Sequence, residues 1–188
     1  MQAIPLGGSP MSRDTSAELS RYSVTETLRD GRRIEIRALK PTDQEELLSA
    51  VGRLSDESVY RRFFSPKRHF TDDEISFYTK VDFVKHAALV AVLREDGRPA
   101  IVGGARYVVS KPRAAEIAFA VNDAYQGQGI GALLMKHLAA IAGQCKLEQL
   151  FAEVLASNTA MLKVFEKSGF CVESKRDGAV VHVTLQVA

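Results

Sequence analysis

From residue 21 onward the chain alternates between two hydrophobic periods. RYSVTETL and RRIEIRAL place apolar residues at every second position around Asp30-Gly31, a dipeptide suited to a tight turn, and so predict a two-stranded hairpin. Pro41-Thr42-Asp43 followed by Glu45 reads as a capping box that starts a helix reaching about Leu54. Ser55 and Thr71 start two more, with RRFFSPKRHF between them and Thr71-Asp72-Asp73-Glu74 repeating the capping pattern. The period then returns to two. HAALVAVLR, PAIVGGARYVVS and AAEIAFAV are separated by Glu95-Asp96-Gly97-Arg98 and Lys111-Pro112-Arg113, which predicts an antiparallel meander. Three alternate glycines, Gly127, Gly129 and Gly131, lead into a helix over about 129–145 with Ile130, Leu133, Leu134, His137, Leu138, Ile141 and Cys145 on one stripe. A strand at QLFAEVLA, a helix over about 159–167 and a hairpin of FCVESKR and AVVHVTLQV around Asp177-Gly178 complete the pattern. The fold class is α+β, a mixed sheet flanked by helices, with no internal repeat.

Composition narrows this picture. At 188 residues and 46% hydrophobic, the chain can bury one sizeable core and reads as one domain. The opening MQAIPLGGSPMSRDTSAELS is rich in Ser, Gly and Pro and aperiodic, so residues 1–20 are expected to form a flexible leader to a single domain over 21–188. A formal charge of +2, from 25 basic and 23 acidic residues, gives no broad attraction to nucleic acid or anionic membranes. Cys145 and Cys171 have neither disulfide nor zinc spacing and read as small buried hydrophobes. The four histidines lack ligand spacing, so no metal is expected, and His137 reads as a satisfied core histidine. With no bilayer-length apolar run and no signal-peptide core, the expected location is the cytoplasm.

The glycines raise the question of chemistry. A helix N-terminus offers unpaired amides and the positive end of the helix dipole, and residues without side chains let phosphates approach the backbone. A P-loop is excluded, because Lys136 comes too late after the glycines. The dinucleotide fingerprint G-x-G-x-x-A is met by Gly127, Gly129 and Ala132, with Glu148 and Glu153 about twenty residues on. Against it, the link NDAYQ intervenes and the strands before it form an antiparallel meander rather than a parallel unit.

Two segments together resemble the GNAT acyltransferase superfamily. Gln126-Gly127-Gln128-Gly129-Ile130-Gly131-Ala132 is similar to its Q/R-x-x-G-x-G/A loop, and Asn158, Met161, Phe165, Glu166, Lys167, Gly169 and Phe170 are similar to its N-x-x-A-x-x-x-Y-x-K-x-G-F segment. The resemblance extends from about Arg33 to the C-terminus. It implies a sheet splayed near its middle, with acyl-CoA in the split and its diphosphate on the loop. The backbone of Phe119, Ala120 and Val121 would pair with the pantetheine arm, with Asn158 and position 165 on the far side.

An amine attacking a thioester must be neutral, so such a site needs a base. Glu116 is the only ionisable residue in AAEIAFAV, on the face of Ala118 and Ala120 and opposite Ile117, Phe119 and Val121. Partial desolvation there is expected to raise its pKa toward the working range. In similar family members a glutamate on this strand serves as base. Where many members carry a tyrosine that protonates the leaving thiolate, this chain has Phe165. A thiolate departs without a dedicated acid, and Tyr125, just before the loop, is the phenol that could substitute, with aromatic packing as its simpler role.

The stretch from Arg53 to Val92 resembles the region before the catalytic core in bacterial protein lysine acetyltransferases that modify acyl-CoA synthetases. That resemblance implies acetyl-CoA as donor and a protein lysine as acceptor. A small amine is the alternative acceptor, and an acyl-CoA sensor without turnover is the alternative class. The basic cluster Arg61, Arg62, Lys67 and Arg68 reads equally as a partner contact, a CoA phosphate contact or a solvated helix face.

Overall fold

The computed structural model of the chain describes residues 13–67, 69–95 and 97–187. It opens with helix α1 (Arg13–Leu19), the hairpin β1 (Ser23–Thr27) and β2 (Arg33–Ala38), and helices α2 (Gln44–Gly52), α3 (Asp56–Phe63) and α4 (Asp72–Thr79). The meander β3 (His86–Glu95), β4 (Arg98–Lys111) and β5 (Ala114–Val121) follows. Helix α5 (Ile130–Gln144), strand β6 (Gln149–Leu155), helix α6 (Thr159–Glu166) and the hairpin β7 (Cys171–Asp177) and β8 (Val180–Gln186) complete the order. The strands form one sheet, β1-β2-β3-β4-β5-β6-β8-β7, antiparallel except where β5 meets β6. This is the mixed sheet flanked by helices that the hydrophobic periods predict.

Strand alternation divides the sheet between two helical layers. Ile117 pairs with Tyr107 and faces the main core, where Leu134, Leu138 and Ile141 of α5 are fully buried. Each such side chain contributes about 1.5–3 kcal/mol by leaving water, which fixes α5 across the sheet. The opposite face carries Ala88, Val90 and Ile101, covered by Leu47 and Ala50 of α2 and forming a second, smaller core. On that same face lie Glu116, Ala118 and Ala120, with Arg106 and Gly104 opposite the two alanines. Among the described residues, no helix is long and apolar enough to cross a membrane, and no group of three His, Cys, Asp or Glu residues is placed to hold a metal ion.

Three expectations are corrected. Residues 13–19 are helical and Leu19 is buried in the main core, so the ordered chain starts before residue 21; residues 1–12 of the expected leader lie outside the described residues. Thr42 does not cap α2. Asp43 holds the N-cap position without a side-chain cap bond to the helix; its Oδ2 accepts from the Lys40 amide at 2.8 Å, closing the turn before α2, and the Arg37 guanidinium donates to both carboxylate oxygens at 2.6 and 2.9 Å. Cys171 is exposed, and Cys145 is half-buried, where its sulfur accepts from Tyr107 Oη at 3.0 Å. The Thr71 capping box is present as expected, with Glu74 and Thr71 each accepting from the other's amide.

The Arg37–Asp43 pair joins β2 to the start of α2 with both side chains 12% exposed. Burial opposes ionisation of Asp43, but the Arg37 fork and the Lys40 amide outweigh it and hold the carboxyl below the usual range. A folded-state pKa below the unfolded one adds stability above about pH 4, lost as pH falls through the lower value. Asp43→Asn is therefore expected to cost about 1–3 kcal/mol at neutral pH. In thermal melts, its deficit against wild type closes as the pH drops below about 4.

Candidate functional site

The sheet opens where the acyl-CoA resemblance implies. β5 and β6 pair through Ala114↔Gln149, Ala115↔Leu150 and Glu116↔Phe151 and then part. β6 follows β8 along its whole length, whereas β5 stays with β4 as far as Val121, so Phe119, Ala120 and Val121 have no strand partner on the β6 side. The gap widens into a groove of ≈ 850 Å³. On its walls lie Glu116, Phe119, Ala120 and Val121 of β5, the loop residues Gln126, Gly127, Gly129, Ile130, Gly131 and Ala132, and Asn158 and Phe165 of α6. Gln128 is the exception. Its amide donates to Ala124 O at 3.0 Å and its oxygen accepts from Arg32, which pins the loop to the β1–β2 hairpin.

The loop is built on backbone that only glycine adopts readily. Gly127 and Gly129 have φ of 75° and 92°, and α5 begins on Gly129 with no side-chain cap, so the first-turn amides lack a side-chain acceptor. Neighbours hold the loop from behind. Gln126 Nε2 donates to Ser58 Oγ and Val121 O, both at 3.1 Å, and Asp123 accepts from the Ser55 amide and from the Ser55 and Ser58 hydroxyls at 2.7–2.9 Å. This bond set ties α3 to the loop. The groove wall carries six basic side chains, Arg29, Arg61, Arg62, Lys136, Lys163 and Lys167, against Glu116 and Glu153. The near-neutral chain thus concentrates positive charge around a donor-rich helix start, a setting suited to phosphates.

β3, β4 and β5 form the expected antiparallel meander before the loop, but β5, α5 and β6 then form a parallel unit that the strands before the loop do not reveal. The two acids of the fingerprint are placed unequally. Glu148 stands before β6, at the end of the strand away from the loop, and pairs with Arg113 at 2.8 Å. Glu153 is exposed on the groove wall, 3.5 Å from His182. Glu148 therefore does not occupy the position of a ribose-binding acid beside the loop.

Glu116 lies at the last paired position before the strands part. Its side chain is exposed, so the chain's own atoms do not supply the desolvation expected for it. Phe165 is 1% exposed and meets Phe119 edge-to-face at 5.9 Å, a packing role with no proton to give. Tyr125 lines the groove with the Arg32 guanidinium 5.9 Å from its ring centroid. His137 is a satisfied core histidine: Nε2–H donates to Glu26 at 2.9 Å and Nδ1 meets the Tyr22 hydroxyl.

The basic cluster resolves unevenly, and Arg68 lies outside the described residues. Arg61 pairs with Glu57 and Lys67 with Glu74, as on a solvated face. Arg62 turns inward, beside Phe63 at 4.8 Å, onto the wall it shares with Glu116 and Tyr78. Burial lowers its pKa, with Tyr78 and Glu116 acting in the other direction. Arg106 lies behind it, and burial and then the Arg62 charge bring its pKa down to about 9. Residues 58 and 59, one turn earlier, are both buried, which places Arg62 on the inner side of α3.

Comparison with known proteins agrees with this geometry. A family model described as "Acetyltransferase (GNAT) family" matches residues 56–170. The chain is 33% identical over 162 residues to "Acetyltransferase Pat" of Mycolicibacterium smegmatis, covering 85% of this chain and 47% of that protein. It therefore spans about half the length of that relative. It is 31% identical over 160 residues to "Acetyltransferase PA5475" of Pseudomonas aeruginosa, covering 84% of this chain and 86% of that protein. The crystal structure of the GNAT domain of S. lividans PAT superposes with a TM-score of 0.78 at 31% identity, over 87% of this chain and 96% of that one.

Proposed function

Since the chain belongs to the acetyltransferase (GNAT) family, we propose that it is an N-acetyltransferase that moves acetyl from acetyl-CoA directly to a protein lysine, with a lysine of an acyl-CoA synthetase as the first substrate to test. One observation carries the reading: Glu116 and the glycine loop open onto the same groove, at opposite ends of the β5 segment that leaves β6. The amides of the loop from Gln126 to Ala132 receive the diphosphate, and the unpartnered edge at Phe119, Ala120 and Val121 holds the pantetheine arm. Asn158, which caps α6 by accepting from the Met161 amide at 3.2 Å, contacts that arm from the opposite wall. Glu116 takes the proton from the amine, directly or through water, and the freed lone pair attacks the thioester carbonyl. The tetrahedral intermediate then collapses with loss of the CoA thiolate, for which Phe165 offers no proton. Similarity to proteins named Pat, and to the PAT domain over nearly its whole length, supports a protein acceptor.

The test is intact-mass spectrometry of a purified acyl-CoA synthetase incubated with acetyl-CoA, with and without this protein. The expected result is a gain of one acetyl mass that requires the protein. No gain, in a preparation that binds acetyl-CoA, overturns the lysine acceptor. A sensor without turnover is the second reading, favoured by the buried phenylalanine at the position of the proton donor.

A further inference from the structure

Away from the glycine loop, the groove's charges do not cancel. Arg62 lines both the groove and an adjoining apolar cavity of ≈ 80 Å³ beneath α2–α4. Its neighbours in charge are committed elsewhere: Arg37 to Asp43, Arg53 to Glu46, Arg61 to Glu57 and Lys67 to Glu74. Among the described residues Arg62 forms no ion pair or hydrogen bond, and the one carboxylate whose charge it feels is Glu116. Arg106 adds a second cation on the cavity wall. It donates to His86 Nε2 at 3.0 Å and Tyr78 O at 3.2 Å and packs 4.6 Å from the Tyr78 ring centroid, with no carboxylate among these partners. His86 neither offsets nor adds to this charge, since burial and the Arg106 charge lower its pKa to about 4 and keep it neutral at working pH.

Two half-buried guanidinium groups, Arg62 on the groove wall and Arg106 on the adjoining cavity wall, thus lie near one another with Glu116 as the one carboxylate near Arg62, and that carboxylate has the incoming ammonium to receive. Taking charge out of water is costly unless a counter-charge joins it, so this wall lacks one anion. We propose that the acceptor carries a carboxylate a few bonds from its reacting amine, and that Arg62, backed by Arg106, binds it while Glu116 receives the amine. The inference rests on the reading of this groove as the site of acetyl transfer. The arrangement complements a zwitterion, anion facing ammonium and guanidinium facing carboxylate. The walls between them, Phe63, Tyr78, Ala118 and Ala120, are suited to the methylenes that join the two groups. The carboxylate comes either from a free amino acid or from an Asp or Glu next to the lysine of a protein.

Matched substrates separate these sources. Acetyl transfer is measured on a lysine peptide with Glu beside the lysine and on the same peptide with Gln, and on free lysine and lysinamide. In one pair at least, the carboxylate partner is expected to show kcat/KM about tenfold or more above its amide, the scale of one charged hydrogen bond. The ratio within that pair should fall to about one in Arg62→Gln and recover in part in Arg62→Lys, whatever the absolute rates of either variant. The pair that shows the preference identifies the source. Ratios near one in both pairs for the wild type, or a ratio unchanged in Arg62→Gln, overturn the inference and leave acetyl transfer standing. No transfer to any of the four overturns both.

Discussion

Glu116→Gln is expected to lower kcat by on the order of 10²–10⁴-fold while acetyl-CoA affinity stays within about twofold of wild type. The substitution keeps the size of the side chain and removes its charge and its ability to take a proton. Glu116 stands on β5 before the segment where the pantetheine arm is proposed to pair, so donor binding does not call on its charge. The loss corresponds to about 3–5 kcal/mol of transition-state stabilisation, the range of a positioned general base. Pre-steady-state transfer together with calorimetric titration of acetyl-CoA separates the two quantities. A variant that retains wild-type kcat would move the base elsewhere, with Glu153 the other acid on the groove wall. A variant that also loses donor binding would mean that Glu116 supports the groove rather than the reaction.

How much of this site can be read from the sequence depends on how local the cause is. The Thr71–Glu74 box is legible because both partners lie within one helical turn. The Thr42 box gives way to a 3-10 turn over Pro41–Asp43, closed by Asp43 onto the Lys40 amide and held by Arg37, a strand residue brought near only by the fold. The glycine loop and the residues around the split are legible as a motif, and all of them line the groove except Gln128, whose amide is occupied by Ala124. The parallel β5–β6 pairing escapes a reading of neighbouring strands because fifteen residues of α5 separate them. Exposure of Glu116 is equally non-local: alternation gives its face, but the distance to the opposite wall is set by β6 following β8. The basic groove is invisible in a net charge of +2, since Arg29, Lys136 and Lys163 come from three separate elements.

Gly129→Val is expected to raise the acetyl-CoA dissociation constant about tenfold or more and to lower stability by about 1–3 kcal/mol. At φ of 92° a β-branched residue is strained, and a Cβ built there meets nothing within 4 Å, so the cost is in the backbone rather than in a clash. For a chain of this size the deficit appears as a fall of about 2–4 °C in Tm per kcal/mol. Relief of that strain requires Gly129 to leave its left-handed conformation, which turns the first amides of α5 away from the groove. Gly131 provides the contrast. It lies within the first turn of α5 at a conformation open to any residue, where an added Cβ meets Val164 at 3.6 Å, an ordinary contact. Gly131→Ala is thus expected to keep or raise Tm, because alanine is the better helix former by about 1 kcal/mol. Thermal melts and acetyl-CoA titrations on the two variants distinguish strain from binding. A Gly129→Val protein that melts lower yet binds acetyl-CoA with wild-type affinity would take the diphosphate off this loop.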